Sequence, residues 1–295
     1  MSNATMDSIP LIAGIGAWAD RYDAVILDLW GVVHNGLVAY PAVPECLARM
    51  REAEIQILFL SNAPRRSGAV AKRLIELGIP PESYDHIITS GDLIRGALTT
   101  REDPFYAALG RDYYRQGPER DWGLMENLNY RPVDFEDASF VINTGLFDDE
   151  TETIDDYEDF ISEALARNLP MICANPDHSV MRGDRLFPCA GALAAVYENR
   201  GGTTSYRGKP YAAAYESCFM AFGAVDRSRI LAIGDSLRTD IAGAQAVGID
   251  SVFVTSGIHA DALNGSGNGP DLAAIATACG QADTQPIAVM THLNW

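Results

Sequence analysis

The sequence predicts an α/β protein: a doubly wound core with a parallel sheet, and a smaller α/β domain inserted into it. Short apolar runs typical of buried parallel strands alternate with helical patterns near both ends of the chain. Between these two halves lies a stretch of different composition, and 295 residues are enough for two domains. We therefore predict a core domain at residues 6–84 and 205–295, with the inserted domain at residues 85–204.

Apolar periodicity and turn residues place the elements of the predicted core. In its first half, Leu47 and Met50 share one face of a predicted helix, and Gly78 ends the predicted helix that follows. In its second half, Gly248 ends the last helical pattern. The predicted strands are residues 24–29, 55–60, 229–233 and 251–254, and the predicted helices are residues 44–54, 67–77, 211–222 and 240–247.

The predicted inserted domain has a weaker pattern. Residues 101–137 are rich in Arg, Asp, Tyr and Pro and show little periodicity, so no element is predicted there. Farther along, residues 140–143 and 170–174 predict strands on either side of a helix at residues 152–167. Near the C-terminus, the Gly-rich residues 264–270 predict a surface loop.

Composition excludes several classes of protein. Hydrophobic residues make up 47% of the chain and charged residues 21%, as in ordinary globular proteins. The formal net charge of −18 argues against nucleic acid and anionic membranes as partners, and the simplest explanation of the charge is solubility. Five scattered cysteines without a C-x-x-C pair argue against a disulfide framework or a zinc knuckle. Without a membrane-length apolar run or a leader pattern, we expect a cytoplasmic protein.

Four polar residues stand where predicted strands end or helices begin, and ligands of open α/β sheets bind at the carboxyl ends of strands. They are Asp28, Ser61, Lys209 and Asp235. Each alone has a simpler explanation as a turn residue, a helix cap or a solvated surface charge. Together they supply a carboxylate nucleophile, a hydroxyl and an ammonium for phosphate oxygens, and two acids for Mg²⁺, which suits phosphoryl transfer.

The ordered motifs resemble those of the haloacid dehalogenase superfamily of phosphatases. The motifs are VILDLWGV at 25–32, LFLSN at 58–62, GKP at 208–210 and GDSLRTD at 234–240. An insert between the second and third motifs is similar to that of subclass IIA, the group of p-nitrophenyl phosphatase and of nucleotide and sugar phosphatases. Two further segments of the insert, ANPD at 174–177 and GAL at 191–193, look like the same group.

The resemblance implies a role for each matching residue. Asp28 would attack phosphorus to form an aspartyl-phosphate, with Ser61, the backbone near Asn62, and Lys209 binding the phosphoryl group. The implied Mg²⁺ ligands are Asp28, Asp235 and the carbonyl of Trp30, supported by Asp240. On the insert, which would be a substrate-specificity cap, Asn175 and Asp177 would face the substrate. Such an insert also offers a surface for a homodimer.

Trp30 departs from the family pattern, which has a second Asp at this position as general acid and base. An indole cannot exchange protons, so about 10²–10⁴-fold of rate enhancement is expected to be missing unless another group supplies it. His34 is one substitute, although a His in a turn is commonly just solvated.

Three functions stay open from the sequence. The first is a Mg²⁺-dependent phosphatase that hydrolyses a small phosphorylated metabolite. The second is a catalytically impaired binding or sensor protein for a phosphate ligand, and the third is a phosphotransferase or phosphonate-cleaving relative. Tyr113, Tyr114 and Arg115 of the insert could set substrate specificity or be ordinary surface.

Overall fold

The computed structural model describes residues 9–263 and 269–295, so residues 6–8 of the predicted core and 264–268 of the predicted loop lie outside the described residues. The chain forms two compact units. The first comprises the described parts of Met1–Phe59 together with Ile75–His86 and Tyr215–Trp295, and the second comprises Leu60–Leu74 and Ile87–Ala214. The predicted boundaries at residues 84/85 and 204/205 stay a prediction.

Both units are built of strands and helices, which confirms the predicted α/β class. The strands are β1 (Ala24–Leu27), β2 (Gln56–Ser61), β3 (His86–Thr89), β4 (Asp112–Gln116), β5 (Arg131–Pro132), β6 (Phe140–Asn143), β7 (Met171–Cys173), β8 (Ser179–Arg182), β9 (Arg185–Pro188), β10 (Thr204–Tyr206), β11 (Ile230–Gly234), β12 (Asp250–Val254) and β13 (Ala288–Met290). The α-helices are α1 (Val43–Glu52), α2 (Ser67–Glu76), α3 (Ser90–Thr100), α4 (Pro104–Ala108), α5 (Glu158–Ala166), α6 (Ala190–Asn199), α7 (Ala212–Phe222), α8 (Ala242–Val247), α9 (Ala260–Leu263) and α10 (Leu272–Gln281).

The larger sheet has the strand order β13-β12-β11-β1-β2-β3. Strand β1 pairs in parallel with β11 on one side and with β2 on the other, so that Leu27 is opposite both Ile233 and Phe59. All four residues of β1 are buried, because a parallel sheet is covered on both faces. The carboxyl ends of these neighbouring strands therefore meet at one edge of the sheet.

The second unit contains a parallel sheet in the order β10-β7-β6-β4-β5, and an antiparallel hairpin of β8 and β9. Alternate residues of β6 face two separate hydrophobic clusters. Val141 packs in a cluster with residues of α5 and α6, whereas Phe140 and Ile142 pack in one with residues of α3 and α4. Both faces of this sheet are thus covered, as the doubly wound arrangement requires.

Most predicted elements of the first unit are confirmed to within two or three residues, including the buried face of Leu47 and Met50 on α1. Two predicted helices begin differently. The segment predicted as helix 152–167 starts as a 3-10 turn at Ile154–Tyr157, and helix α8 is preceded by a π-helical turn at Leu237–Ile241. Gly248 ends α8 in the left-handed region, at φ 74°, as predicted.

Residues 101–137, for which no element was predicted, contain α4, β4 and β5. Strand β5 has only two residues, one of them Pro132, and such a segment carries no strand periodicity. Strand β4 has the sequence Asp-Tyr-Tyr-Arg-Gln, and its polar residues do not give the apolar run that predicts a strand inside a sheet. None of the described helices is long and apolar enough to cross a membrane.

Candidate functional site

A cluster of three carboxylates lies in the first unit. One side-chain oxygen of each of Asp28, Asp235 and Asp240 lies within 4.8 Å of the other two, and all three residues are buried. Asp28 directly follows β1, and its amide continues the ladder by donating to the carbonyl of Ile233 at 2.9 Å. Asp235 directly follows β11, the neighbouring strand. The pairing of β1 with β11 thus brings together acids that are far apart in the sequence.

Two glycines, which have no side chain, leave the space that the carboxylate of Asp235 occupies. A Cβ on either Gly31, at φ 76°, or Gly257 would overlap the carboxylate of Asp235. The amide of Ile258 donates to Asp235 Oδ2 at 2.7 Å. Gly257 and Ile258 were not predicted as site residues, although a glycine shortly after the end of β12 was a signal for this loop.

Asp240 belongs to the π-helical turn rather than to a helix cap. The amide of Ser236 donates to Asp240 Oδ2 at 3.1 Å, while the Ser236 side chain itself caps the turn by accepting from the amide of Thr239. The hydroxyl of Tyr215 donates to the backbone carbonyl of Asp240 at 3.0 Å. Asp240 is 4% exposed, so this turn holds its carboxylate away from solvent.

The three acids fit a small divalent cation. Three carboxylates this close concentrate negative charge away from solvent, an arrangement that a cation with oxygen ligands offsets. Hard oxygen donors of this kind suit Mg²⁺ better than softer metals, which prefer nitrogen or sulfur. Burial raises the pKa of Tyr40, and the negative charge of Asp235 raises it further.

Trp30 and His34 pack against each other in the turn after β1. Their ring centroids are 5.0 Å apart in an edge-on arrangement, and a Cβ on Gly36, at φ 85°, would overlap the Trp30 ring. The expectation that His34 is solvated is wrong, because the residue is 4% exposed. The amide of Gly36 donates to His34 Nδ1 at 3.0 Å, so a neutral imidazole carries its proton on Nε2. Protonation of Nδ1 would break this contact.

A second group of predicted site residues lies in the second unit. Ser61 is the last residue of β2, is 1% exposed, and its hydroxyl accepts from the amide of Ala63 at 3.2 Å. Lys209 is 2% exposed, so it is not a solvated surface charge. Asn62 forms hydrogen bonds with the backbone of Lys209 and with the carboxylate of Asp177.

The loop after β7 contains the remaining predicted residues. Asn175 Oδ1 accepts from the amide of Asp177 at 3.1 Å and so shapes this loop. Tyr113 is not surface, because it is 2% exposed within the hydrophobic core. The guanidinium of Arg115 lies 4.5 Å from the ring centroid of Trp122. The predicted residues therefore form two groups, the acids with Trp30 in the first unit and the remainder in the second.

Comparisons with known proteins agree with these motifs. A profile described as haloacid dehalogenase-like hydrolase matches residues 25–121, and one described as HAD-hydrolase-like matches residues 206–277. A solved structure of a haloacid dehalogenase-like hydrolase from Brucella suis 1330 has 38% identity and a TM-score of 0.83, covering 96% of this chain and 100% of its own.

Two curated relatives are enzymes by name. The 5′-nucleotidase YutF of Bacillus subtilis is 27% identical over 241 residues, which cover 80% of this chain and 88% of the relative. The D-glycerol 3-phosphate phosphatase of Mycobacterium tuberculosis is 28% identical over 245 residues, which cover 82% of this chain and 65% of the relative.

Proposed function

Because the chain belongs to the haloacid dehalogenase-like hydrolases, we propose that it is a phosphatase that hydrolyses the phosphate monoester of a small metabolite. The observation that carries the proposal is the cluster of Asp28, Asp235 and Asp240 at the carboxyl ends of paired strands. The relatives named as a nucleotidase and as a glycerol phosphate phosphatase support it. Neither name supports the alternative of a catalytically impaired binding protein.

In the proposed reaction, a carboxylate oxygen of Asp28 attacks phosphorus, and the P–O bond to the alcohol breaks. Water then hydrolyses the aspartyl-phosphate, which returns the carboxylate of Asp28 and releases inorganic phosphate. The hydroxyl of Ser61 and the ammonium of Lys209 would bind the phosphoryl oxygens.

The proposed cofactor is Mg²⁺, held by Asp28, Asp235 and Asp240 together with the backbone carbonyl of Trp30. When bound, it would supply positive charge against the phosphoryl oxygens of the substrate. Asn175 and Asp177 would contact the organic part of the substrate from the second unit. A homodimer and a cytoplasmic location stay predictions.

A screen of phosphate esters in Mg²⁺ and in EDTA tests this function. We expect phosphate release in Mg²⁺, its loss in EDTA, and its recovery when Mg²⁺ is added in excess. The matched control for contaminating phosphatases is Asp28→Asn, purified in the same way. Hydrolysis that resists EDTA would contradict the proposed cofactor, and failure to hydrolyse any ester would contradict the proposed activity.

Mg²⁺ is also expected to stabilise the folded protein, because only the folded state brings the three acids together. At 100 times the Kd, binding adds about 2.7 kcal/mol to the free energy of unfolding, which differential scanning fluorimetry detects as a higher Tm. Asp235→Asn is expected to lose most of this increase, whereas Glu54→Gln, which also replaces a carboxylate by an amide but at an exposed residue, keeps it. An equal increase in Tm for wild type and Asp235→Asn would mean that Mg²⁺ binds elsewhere.

A further inference from the structure

We propose that Asn62 is a positioning residue, whose side-chain amide holds Lys209 and Asp177 in one fixed arrangement. The inference rests on the proposed function, in which Lys209 binds the phosphoryl group and Asp177 contacts the organic part of the substrate. Through Asn62, recognition of the two parts of the substrate becomes coupled. The family resemblance instead implies that the backbone near Asn62 takes part in substrate binding.

The first observation is a pair of hydrogen bonds between the Asn62 amide and the backbone of Lys209. The amide of Lys209 donates to Asn62 Oδ1 at 2.7 Å, and Asn62 Nδ2 donates to the carbonyl of Lys209 at 3.1 Å. The side chain therefore pairs with both backbone groups of one residue, much as a neighbouring strand does. Both bonds are buried, where the loss of one partner leaves an unsatisfied polar group. By holding the backbone of Lys209, this pairing restricts the direction in which the Lys209 side chain extends.

The second observation extends the contact to the loop after β7. Asn62 Nδ2 also donates to Asp177 Oδ1, at 3.0 Å. A carboxylate acceptor makes this bond stronger than a neutral one. Since an amide nitrogen has two N–H groups, the carbonyl of Lys209 and the carboxylate of Asp177 together use both of them. No N–H of the Asn62 side chain is left for a substrate, so the amide acts through the two residues that it holds.

The backbone next to Lys209 is shaped to let Asn62 approach. Gly208 has φ 130°, and a Cβ there would lie 2.5 Å from Asn62 Oδ1 and 3.2 Å from the Cβ of Ser90. Only glycine combines this conformation with so close an approach. The hydroxyl of Ser90 donates to the carbonyl of Arg207, which anchors the segment one residue earlier. Residues 207–209 are thus held by two side chains, Ser90 at Arg207 and Asn62 at Lys209.

A double-mutant cycle with Asn62→Asp and Asp177→Asn tests the coupling. Asn62→Asp keeps the acceptor for the Lys209 amide but turns an oxygen toward both Asp177 and the carbonyl of Lys209. The two carboxylates then repel, and the bond to the carbonyl is lost. We expect kcat/KM to fall about 10- to 100-fold in this variant. In the double variant, the amide introduced at position 177 can donate to the carboxylate introduced at position 62, so about 10-fold of the loss is expected to return. Asn129→Asp, the same change at an exposed residue, is the control.

Competitive inhibition by inorganic phosphate separates positioning from a merely structural role. Phosphate would bind through Lys209, and the side-chain oxygen retained in Asp177→Asn can still accept from Asn62 Nδ2. Its Ki is therefore expected to rise in Asn62→Asp and to stay near the wild-type value in Asp177→Asn. The KM of the full ester is expected to rise in both. Asn62→Ser, which removes all three hydrogen bonds without adding a charge, is expected to raise the Ki as well and serves if Asn62→Asp does not fold.

Two results would overturn the inference. One is a normal kcat/KM and a normal Ki in a folded Asn62 variant; the other is a loss that follows a lower Tm and does not recover in the double variant. Lys209→Met distinguishes these failures from failure of the proposed function. If Lys209→Met is inactive while Asn62→Asp is normal, only the positioning role is wrong. If wild type hydrolyses no ester, the proposed function itself is wrong.

Discussion

Asp28→Asn is expected to lower kcat by about 10⁴-fold or more, because an amide cannot form the acyl-phosphate that the proposed mechanism requires. Asn is nearly isosteric with Asp, and the backbone contact of residue 28 with Ile233 does not involve the side chain. The Tm is therefore expected to change little. Phosphate release under saturating ester measures the effect, and acid quenching followed by mass spectrometry detects phospho-Asp28 in wild type and not in the variant.

The control for this variant is Asp20→Asn, the same change outside the acid cluster of the first unit, which is expected to retain full activity. If Asp28→Asn retains turnover close to wild type after contaminating phosphatases have been removed, another group attacks phosphorus. The carboxylate cluster would then be a metal site without a nucleophile.

Trp30→Asp is expected to raise the hydrolysis of alkyl phosphates by up to about 10²–10⁴-fold, the usual contribution of a general acid. In the proposed site, Trp30 occupies the position of the family's general acid, so the leaving oxygen is expected to depart without a proton donor. Aryl and acyl phosphates have weakly basic leaving groups and need little help. We therefore expect wild type to cleave p-nitrophenyl or acetyl phosphate faster than a sugar phosphate, and phospho-Asp28 to accumulate.

Trp30→Asn separates the new acid from the loss of the ring. This side chain has the size of Asp and opens the same space beside Gly36, but it cannot exchange protons, so it is expected to give no gain on alkyl esters. Rapid hydrolysis of a sugar phosphate by wild type, or a rate that does not depend on leaving-group basicity, would contradict this account. His34→Gln is expected to leave that dependence unchanged, because no proton passes through His34 in this account. A changed dependence would identify Nε2, the nitrogen that carries the proton when Nδ1 accepts from the Gly36 amide, as the donor.

The acid cluster could be predicted from the sequence for a simple reason. Asp28 and Asp235 follow uninterrupted apolar runs, such runs become neighbouring buried strands, and parallel strands end at one edge. The role of Asp240 was predicted from the family resemblance alone. No sequence pattern indicates the π-helical turn that contains it. The pattern thus indicates which acids meet, while the backbone conformation decides how each carboxylate points.

The contacts of Asn62 were beyond sequence reasoning, whereas the loop at Gly257 had one signal, a glycine shortly after the end of β12. Asn62 contacts residues 115 and 147 positions away, and no local pattern reports on pairs so distant. Residues 101–137 fail for a different reason. Their strands are short and polar, and the packing of β4 against β6 stabilises them instead of any periodicity of their own.

The place of β1 in its sheet has a consequence for the dynamics of the site. A strand with a hydrogen-bonded neighbour on each side and no exposed residue opens only when the surrounding structure opens with it, so its amides are expected to be among the slowest to exchange with solvent. The amide of Asp28 belongs to the same ladder. The proposed nucleophile is thus attached to a part of the sheet that is expected to fluctuate little, and its position is expected to be lost only through an opening on the scale of the whole unit.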